Sequence, residues 1–445
     1  MKRSVKMLSL ACVLAITTSL FGACAKKDNS TAQSGNGTAA QAGTKNVSMR
    51  FSWWGDDARH KATLAALDAY SQKNPNVKVD AEYMGYDDYN KKLLTQLAGG
   101  TAPDLFQFHR DWLPDVQSQG DLLADLGSFS SIDLKQYPDS LLKGSGSYKG
   151  KVYLAPASVV ALSMTENKDF LAKYGVKEPD AWTWDSFIQA GKAIHQQDKN
   201  AYLTTADIDV LNVVFFSSYV SQKTGKSWIN DDNTVNVTKA DLTDGLQFIS
   251  DLFSSGTMEP FGDSSMFTGK MDQNPKWVNG QIGALLDVSN AITRYKAAVP
   301  GAKFGVTALP VRKDAVMSGN DYSGNMGYSV NNKSANKDEA AKLLNWIIND
   351  KDAALTLTTV RGVPATTDGL KALTDAGKLD TDLAKAVDLG QKNSYTINMI
   401  SSNTELMQIR KDVLQKVIFG KETPDQGADE ILKGFDAKLK TLKAK

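Results

Sequence analysis

Apolar and polar positions alternate from Val47 onward. Val47, Met49, Phe51 and Trp53 fall on one side of an extended segment, the period-two pattern of a strand with one face on a core. That period puts Trp53 on the core side and Trp54 on the other. A turn follows at Gly55-Asp56-Asp57. Leu64, Leu67 and Tyr70 then recur at helical spacing until Asn74-Pro75 stops the helix. Val77, Val79, Ala81 and Tyr83 alternate again. Tyr89, Leu93, Leu94 and Leu97 predict a second helix, ended by Gly99-Gly100, and Pro103-Asp104 leads into the apolar stretch Leu105-Phe106-Gln107-Phe108. The order strand, helix, strand, helix, strand builds a sheet covered by helices, an α/β fold.

The same reading continues along the chain. Gly150 to Ala155, Ala161 to Met164 and Phe304 to Pro310 predict strands, and Trp184 to Ile194 predicts a helix. Ala340, Leu343, Leu344 and Ile347 mark one face of another helix. From Leu406 on, two amphipathic helices flank Pro424, and their apolar stripes are core in the simplest reading. Trp184 and Trp346 lie in helical patterns and belong to the core. No internal repeat is visible.

The first residues follow a different rule. Lys2, Arg3 and Lys6 precede the apolar or small run Met7 to Gly22, the pattern of an export signal. The run is short for a bilayer-spanning helix, which needs roughly 20 residues. The chain has two cysteines, Cys12 and Cys24. Both lie in or beside this segment, so the mature chain cannot form an internal disulfide. Leu20-Phe21-Gly22-Ala23-Cys24 resembles a bacterial lipobox, in which the cysteine thiol receives lipid. Phe21 departs from the usual aliphatic residue. The expectation is a lipoprotein signal over 1–23, lipidation at Cys24 and a tether over 24–46. The tether is rich in Ser, Thr, Gly, Ala, Asn and Gln and has no large apolar residue, so it cannot bury enough surface to order itself.

Composition narrows the partners. A chain of 445 residues, 42% hydrophobic and 23% charged, is long enough for two domains with their own cores. Without the first 23 residues it carries 48 basic and 50 acidic side chains, a net of −2. Near-neutrality gives no electrostatic reason to expect nucleic acid.

A set of segments runs in order along the body: Lys73-Asn74-Pro75-Asn76-Val77, Leu97-Ala98-Gly99-Gly100-Thr101-Ala102-Pro103-Asp104-Leu105, Gly120-Asp121-Leu122-Leu123, Tyr148-Lys149-Gly150-Lys151-Val152-Tyr153, Trp182-Thr183-Trp184-Asp185, Gly305-Val306-Thr307-Ala308-Leu309-Pro310 and Asn336-Lys337-Asp338-Glu339-Ala340-Ala341. Each is weak alone; in this order the sequence resembles the family 1 extracellular solute-binding proteins, the sugar receptors of ABC importers that include maltose-binding protein. The resemblance implies a two-lobed periplasmic-binding-protein-like fold with a hinge and an interlobe cleft. Lobe one would span about 47–154 and 326–372, and lobe two about 158–323 and 376–445, with Pro156 near the first crossover. It also implies an oligosaccharide ligand, permease partners in the membrane, a monomer at the extracellular face and no catalysis.

Sugar rings offer C–H faces for aromatic stacking and a rim of hydroxyls for Asp, Asn, Arg and Gln. Loops after strands that mix aromatic and charged residues are therefore the candidates, since open α/β sheets bind ligands outside the carboxyl ends of their strands. Trp54, Asp57 and Arg59 follow the first strand. Phe108, Arg110, Asp111 and Trp112 follow the third, and the resemblance places Phe108 and Asp111 at positions that often touch sugar. Asp287 and Asn290 lie in the corresponding loop of lobe two, where no aromatic occurs between Trp277 and Tyr295. Trp228 and Tyr322 are then candidates to stack from that side, and Tyr86 and Arg361 complete the set. Arg59 and the aspartates could instead pair with one another or cap a helix.

Other chemistries lack their patterns. His60, His109 and His195 have no metal-ligand spacing. Thr224-Gly225-Lys226-Ser227 lacks the first glycine of a phosphate loop, and Asn230 to Asn233 lacks the spacing of an EF-hand loop. No cofactor or metal is expected. A secreted glycosidase, a receptor serving a membrane sensor, and a ligand carrying phosphate or a uronic acid read by Arg59, Arg110 and Arg361 are the alternatives.

Overall fold

Strand β1 (Val47–Trp54) is buried from Phe51 to Trp54, on both of its faces. It is a central strand, paired in parallel with β2 (Val77–Met84) along its whole length and with β3 (Leu105–His109) on the other side. The structure, a computed structural model, describes residues 46–443 apart from Glu178, Asp231, Asn393 and Thr396. The expected signal, Cys24 and the tether up to residue 45 lie outside the described residues.

The segment predicted as one strand over Gly150 to Ala155 is divided. β4 (Ser147–Tyr148) and β5 (Lys151–Val152) form a hairpin, and β6 (Ala155–Pro156) joins the first sheet. Between them the amides of Tyr153 and Leu154 both donate to the Gly146 carbonyl, at 2.9 and 3.2 Å, which takes these two residues out of the ladder. β7 (Ser158–Val159) lies in the connection to the second sheet. That sheet consists of β8 (Leu162–Asn167), β9 (Tyr202–Thr204), β10 (Ile282–Val288) and β11 (Phe304–Thr307), in the order β11-β8-β10-β9. The predicted strand through Pro310 stops at Thr307.

After β12 (Asn320–Asp321) the chain returns to the first sheet. β13 (Met326–Val330) inserts antiparallel between β3 and β6, giving β2-β1-β3-β13-β6. The two crossing segments are tied together: Val160 and Ser323 exchange backbone hydrogen bonds at 2.9 and 3.1 Å. β14 (Val363–Pro364) pairs with β7, and β15 (Ser394–Tyr395) with β12. Pro156, expected near the first crossover, ends β6, and its carbonyl accepts the Tyr137 hydroxyl at 2.7 Å. A Cβ on Gly327 would stand 2.1 Å from the Ala155 carbonyl oxygen, so only glycine lets β13 approach β6 here.

Each sheet has its own core. The first packs Phe51, Trp53, Leu67, Tyr70, Tyr328 and Leu343 on one face. On its other face lie Trp54, Tyr89, Leu93, Phe106, Phe108 and Leu113. The second sheet packs against Trp184, Phe187, Phe215, Ile249, Leu414 and Phe435. The C-terminal helices run Thr404–Ile418 and Pro424–Lys443. Pro424 opens the second of them, where its missing N–H is no loss.

Candidate functional site

The register of the two sheets shows which loops lie together at one end of each sheet. In lobe one these follow β1 and β3 and precede the antiparallel β13. In lobe two they follow β9, β10 and β11 and precede the antiparallel β8.

Lobe one brings several predicted residues together. Trp54 ends β1, Tyr86 opens the helix Tyr86–Ala98, and Trp112 lies in the short turn after β3. Their rings form a triangle: Trp54–Tyr86 5.5 Å, Trp54–Trp112 5.8 Å and Tyr86–Trp112 6.0 Å between centroids. Tyr86 is 43% exposed and Trp112 half-buried, whereas Trp54 is 7% exposed, held against Tyr89. Phe108 is fully buried and meets Trp112 edge-on at 5.4 Å, so it supports the patch from beneath.

Polar groups border these rings. Asp57 is exposed at the start of the helix Asp57–Lys73, and its neighbour Asp56 caps that helix by accepting from Arg59 N at 2.8 Å. Arg59 is half-buried and donates from Nε to the Val360 carbonyl (3.1 Å) and from Nη1 to the Trp54 carbonyl (3.4 Å). Arg361 is buried, donating to Gln107 Oε1 at 2.5 Å and Thr63 Oγ1 at 2.6 Å. Its place is under the sheet end, not on the rim. Arg110 is buried, with Nη2 3.2 Å from Ser402 Oγ and Nε 3.4 Å from the exposed Asp111. Burial holds His109 below the usual histidine range, with Arg110 adding to the effect and Asp111 opposing it.

Lobe two presents carboxylates. Asp287, at the end of β10, accepts from Val288 N at 2.7 Å and from the Tyr295 hydroxyl. Asn290 is exposed three residues on. Asp207, after β9, accepts from Asp209 N (2.9 Å), Val210 N (3.0 Å) and Gly269 N (2.8 Å). Asp209 forms an ion pair with Lys411. Trp228 and Tyr322, expected to stack from this side, are core residues instead. Trp228 meets Phe216 edge-on at 5.1 Å and carries the Arg410 guanidinium 4.8 Å from its centroid. Tyr322 is packed into the core of lobe one. Each is enclosed by its own core and leaves no ring face exposed.

Asp207 and Met399 lie beside the predicted residues and were not singled out from the sequence. Asp207 carried a usable signal, since an aspartate that follows a strand and caps the next helix is the form of the loop after β1. Met399 packs against the aromatic cluster of lobe one, while its neighbour Ile400 packs on the lobe-two core and Ser401 Oγ accepts from Ile229 N at 3.1 Å. That bridging position depends on long-range pairing, which no local pattern reveals.

Burial raises the Asp287 carboxyl above its usual 3.8, reinforced by Asp207 and opposed by the Tyr295 and Val288 hydrogen bonds and by Arg294. A raised pKa means that the folded protein holds this proton more tightly than the unfolded chain. Stability is therefore fullest below 3.8 and declines as pH rises through the raised value. Asp287→Asn should flatten that part of the stability–pH curve. Urea denaturation at stepped pH measures it, and an unchanged slope would count against the assignment.

The described residues contain no group of three or more His, Cys, Asp and Glu placed to hold a metal ion. None of their helices is long and apolar enough to cross a membrane.

Residues 56–354 match the model of the bacterial extracellular solute-binding proteins. A putative binding protein of Brucella abortus is 24% identical over 84% of this chain and 88% of its own. The galactooligosaccharide-binding protein of Bacillus subtilis is 22% identical over 95% of this chain and 97% of its own. Among solved structures, a periplasmic oligogalacturonide-binding protein from Yersinia enterocolitica superposes with a TM-score of 0.81 at 25% identity, over 89% of this chain and 99% of that one.

Proposed function

The chain belongs to the family of bacterial extracellular solute-binding proteins, and from that premise we propose that its cleft captures an oligosaccharide and presents it to the permease of an ATP-driven importer, with lipid on Cys24 holding the protein at the outer membrane face. The observation that carries the ligand class is the aromatic triangle of Trp54, Tyr86 and Trp112. Two of its rings reach the surface at the ends of strands, bordered by Asp57, Arg59 and Asp111. An exposed aromatic ring face with hydrogen-bonding groups nearby suits the C–H face and hydroxyl rim of a sugar. The Bacillus and Yersinia relatives, named for oligosaccharides, support the same class. The Yersinia relative also favours a second reading, an acidic oligosaccharide.

The protein acts by binding and not by turnover. Ligand that binds only the folded state raises the melting temperature by mass action, by about 2.7 kcal/mol of stability at a hundredfold excess over Kd. A thermal-shift screen against neutral and acidic oligosaccharides should give a clear rise with one class and no product on incubation. A shift with a phosphorylated solute alone would sink the oligosaccharide reading, and consumption of a sugar would sink the receptor reading. The anchor is tested by detergent partitioning of the full chain expressed in a bacterium, which Cys24→Ser should abolish.

A further inference from the structure

A cavity of about 30 Å³ lies in lobe one, bordered by β13, the helix Lys337–Asn349 and the loop 358–362 that follows the helix Lys351–Leu357. Tyr328, Ile347, Leu357, Thr358 and Gly362 line it together with Arg361, the one charged side chain in its wall among the described residues. Arg361 is 6% exposed. Its Nη1 and Nη2 donate to Gln107 Oε1 and Thr63 Oγ1, both neutral, and its Nε is buried without a hydrogen-bond partner. The guanidinium carbon stands 5.6 Å from the centroid of the Tyr328 ring.

No carboxylate offsets this charge. The groups that act on Arg361 electrostatically are Tyr328, Arg59 and Tyr89, and none is acidic. Arg59 is a second guanidinium, engaged with the carbonyls of Val360 and Trp54. The carboxylate that acts on Arg59, Asp56, is exposed and caps a helix. Burial presses Arg361 below the usual arginine range, Tyr328 and Tyr89 oppose the shift, and Arg59 adds to it. A guanidinium keeps its proton inside a protein even so. A buried charge without a partner of opposite sign is costly, so this one calls for a counter-ion.

We propose that the cavity is a binding site for one small monovalent anion of the halide class, chloride or bromide, seated against Arg361 with Nε as its donor. A single water needs about 10–15 Å³. A space of about 30 Å³ therefore takes one ion of that size class and excludes a sulfate, a phosphate or the carboxylate of a sugar. A water would satisfy Nε and leave the charge; a halide meets both. The apolar walls of Ile347 and Leu357 suit an ion that gives up its water readily. Through Gln107 and Thr63, Arg361 joins β3 to the helix Asp57–Lys73, and the anion strengthens that join by neutralising its centre. The inference does not depend on which solute the protein captures.

Thermal denaturation of the full-length protein, with chloride exchanged for gluconate at one fixed ionic strength, tests the proposal. The melting temperature should rise by about 1–3 °C for each tenfold increase in chloride above its Kd. Bromide should act like chloride, and gluconate, too large for the cavity, should not. A melting temperature indifferent to the exchange overturns the proposal. Arg361→Met should abolish the halide response, and a response kept in that variant overturns it as well. Crystals of the wild type grown in bromide need no variant, so the proposal stays open to refutation even if Arg361→Met does not fold. Anomalous scattering at the bromine edge should show a peak in the cavity, within hydrogen-bond reach of Arg361 Nε. A water there without anomalous signal, or bromide at the surface as an adventitious ion only, overturns the assignment.

Discussion

Trp112→Ala is expected to weaken oligosaccharide binding by about 2 kcal/mol, roughly thirtyfold in Kd, with little change in melting temperature. The separation of the two effects follows from placement. Trp112 is half-buried and rests on Phe108 and Trp54, so its loss removes a stacking face without opening an enclosed cavity. Trp54→Ala would be a poorer experiment. That ring packs against Tyr89 in a core face, and truncating a buried tryptophan costs about 3–5 kcal/mol of stability whatever it does to the ligand. Trp112→Phe should restore most of the affinity, because a smaller aromatic face remains. Calorimetric titration decides the matter, and a Kd for Trp112→Ala equal to wild type would remove the aromatic triangle from the account of binding.

A second large loss of stability is expected away from the ligand. Glu259 is buried and fully engaged in lobe two: Oε2 accepts from Thr205 Oγ1 and Asn274 Nδ2, both at 2.7 Å, and Oε1 from Lys276 Nζ at 2.8 Å. Glu259→Ala leaves two buried donors without an acceptor and strips the ammonium of its nearer carboxylate. Removing one partner of such an arrangement costs about 3 kcal/mol or more. Asp263, 3.0 Å from the same ammonium and largely exposed, can compensate only in part. Chemical denaturation should show the midpoint fall with the slope unchanged. A loss below about 1 kcal/mol would mean that water substitutes for the carboxylate.

How far the sequence could be read depended on the range of the interaction. Period-two and helical spacing located β1, β2 and β3 and the helices between them, because each burial pattern is complete within a dozen residues. Trp54 shows where the reading stopped. Alternation put it on the face opposite Trp53, which is where it lies. That face is covered too, because the helix Tyr86–Ala98 packs Tyr89 against it. Position along a strand does not say how many layers lie above it. Trp228 and Tyr322 were chosen for chemistry alone, and their surroundings come from residues far away in the chain, Phe435 for one and Gly390 for the other.

The insertion of β13 between β3 and β6 bears on the order of assembly. These partners are Leu105–His109 and Ala155–Pro156, and the strand that joins them is Met326–Val330, after every strand of the second sheet. A chain emerging N-terminus first therefore carries an open sheet edge along β3 until residue 330 is available. Lobe two's strands are all present before lobe one's sheet can close. About three quarters of the chain must therefore be present before the first sheet can close, so lobe one is the later of the two to complete its fold.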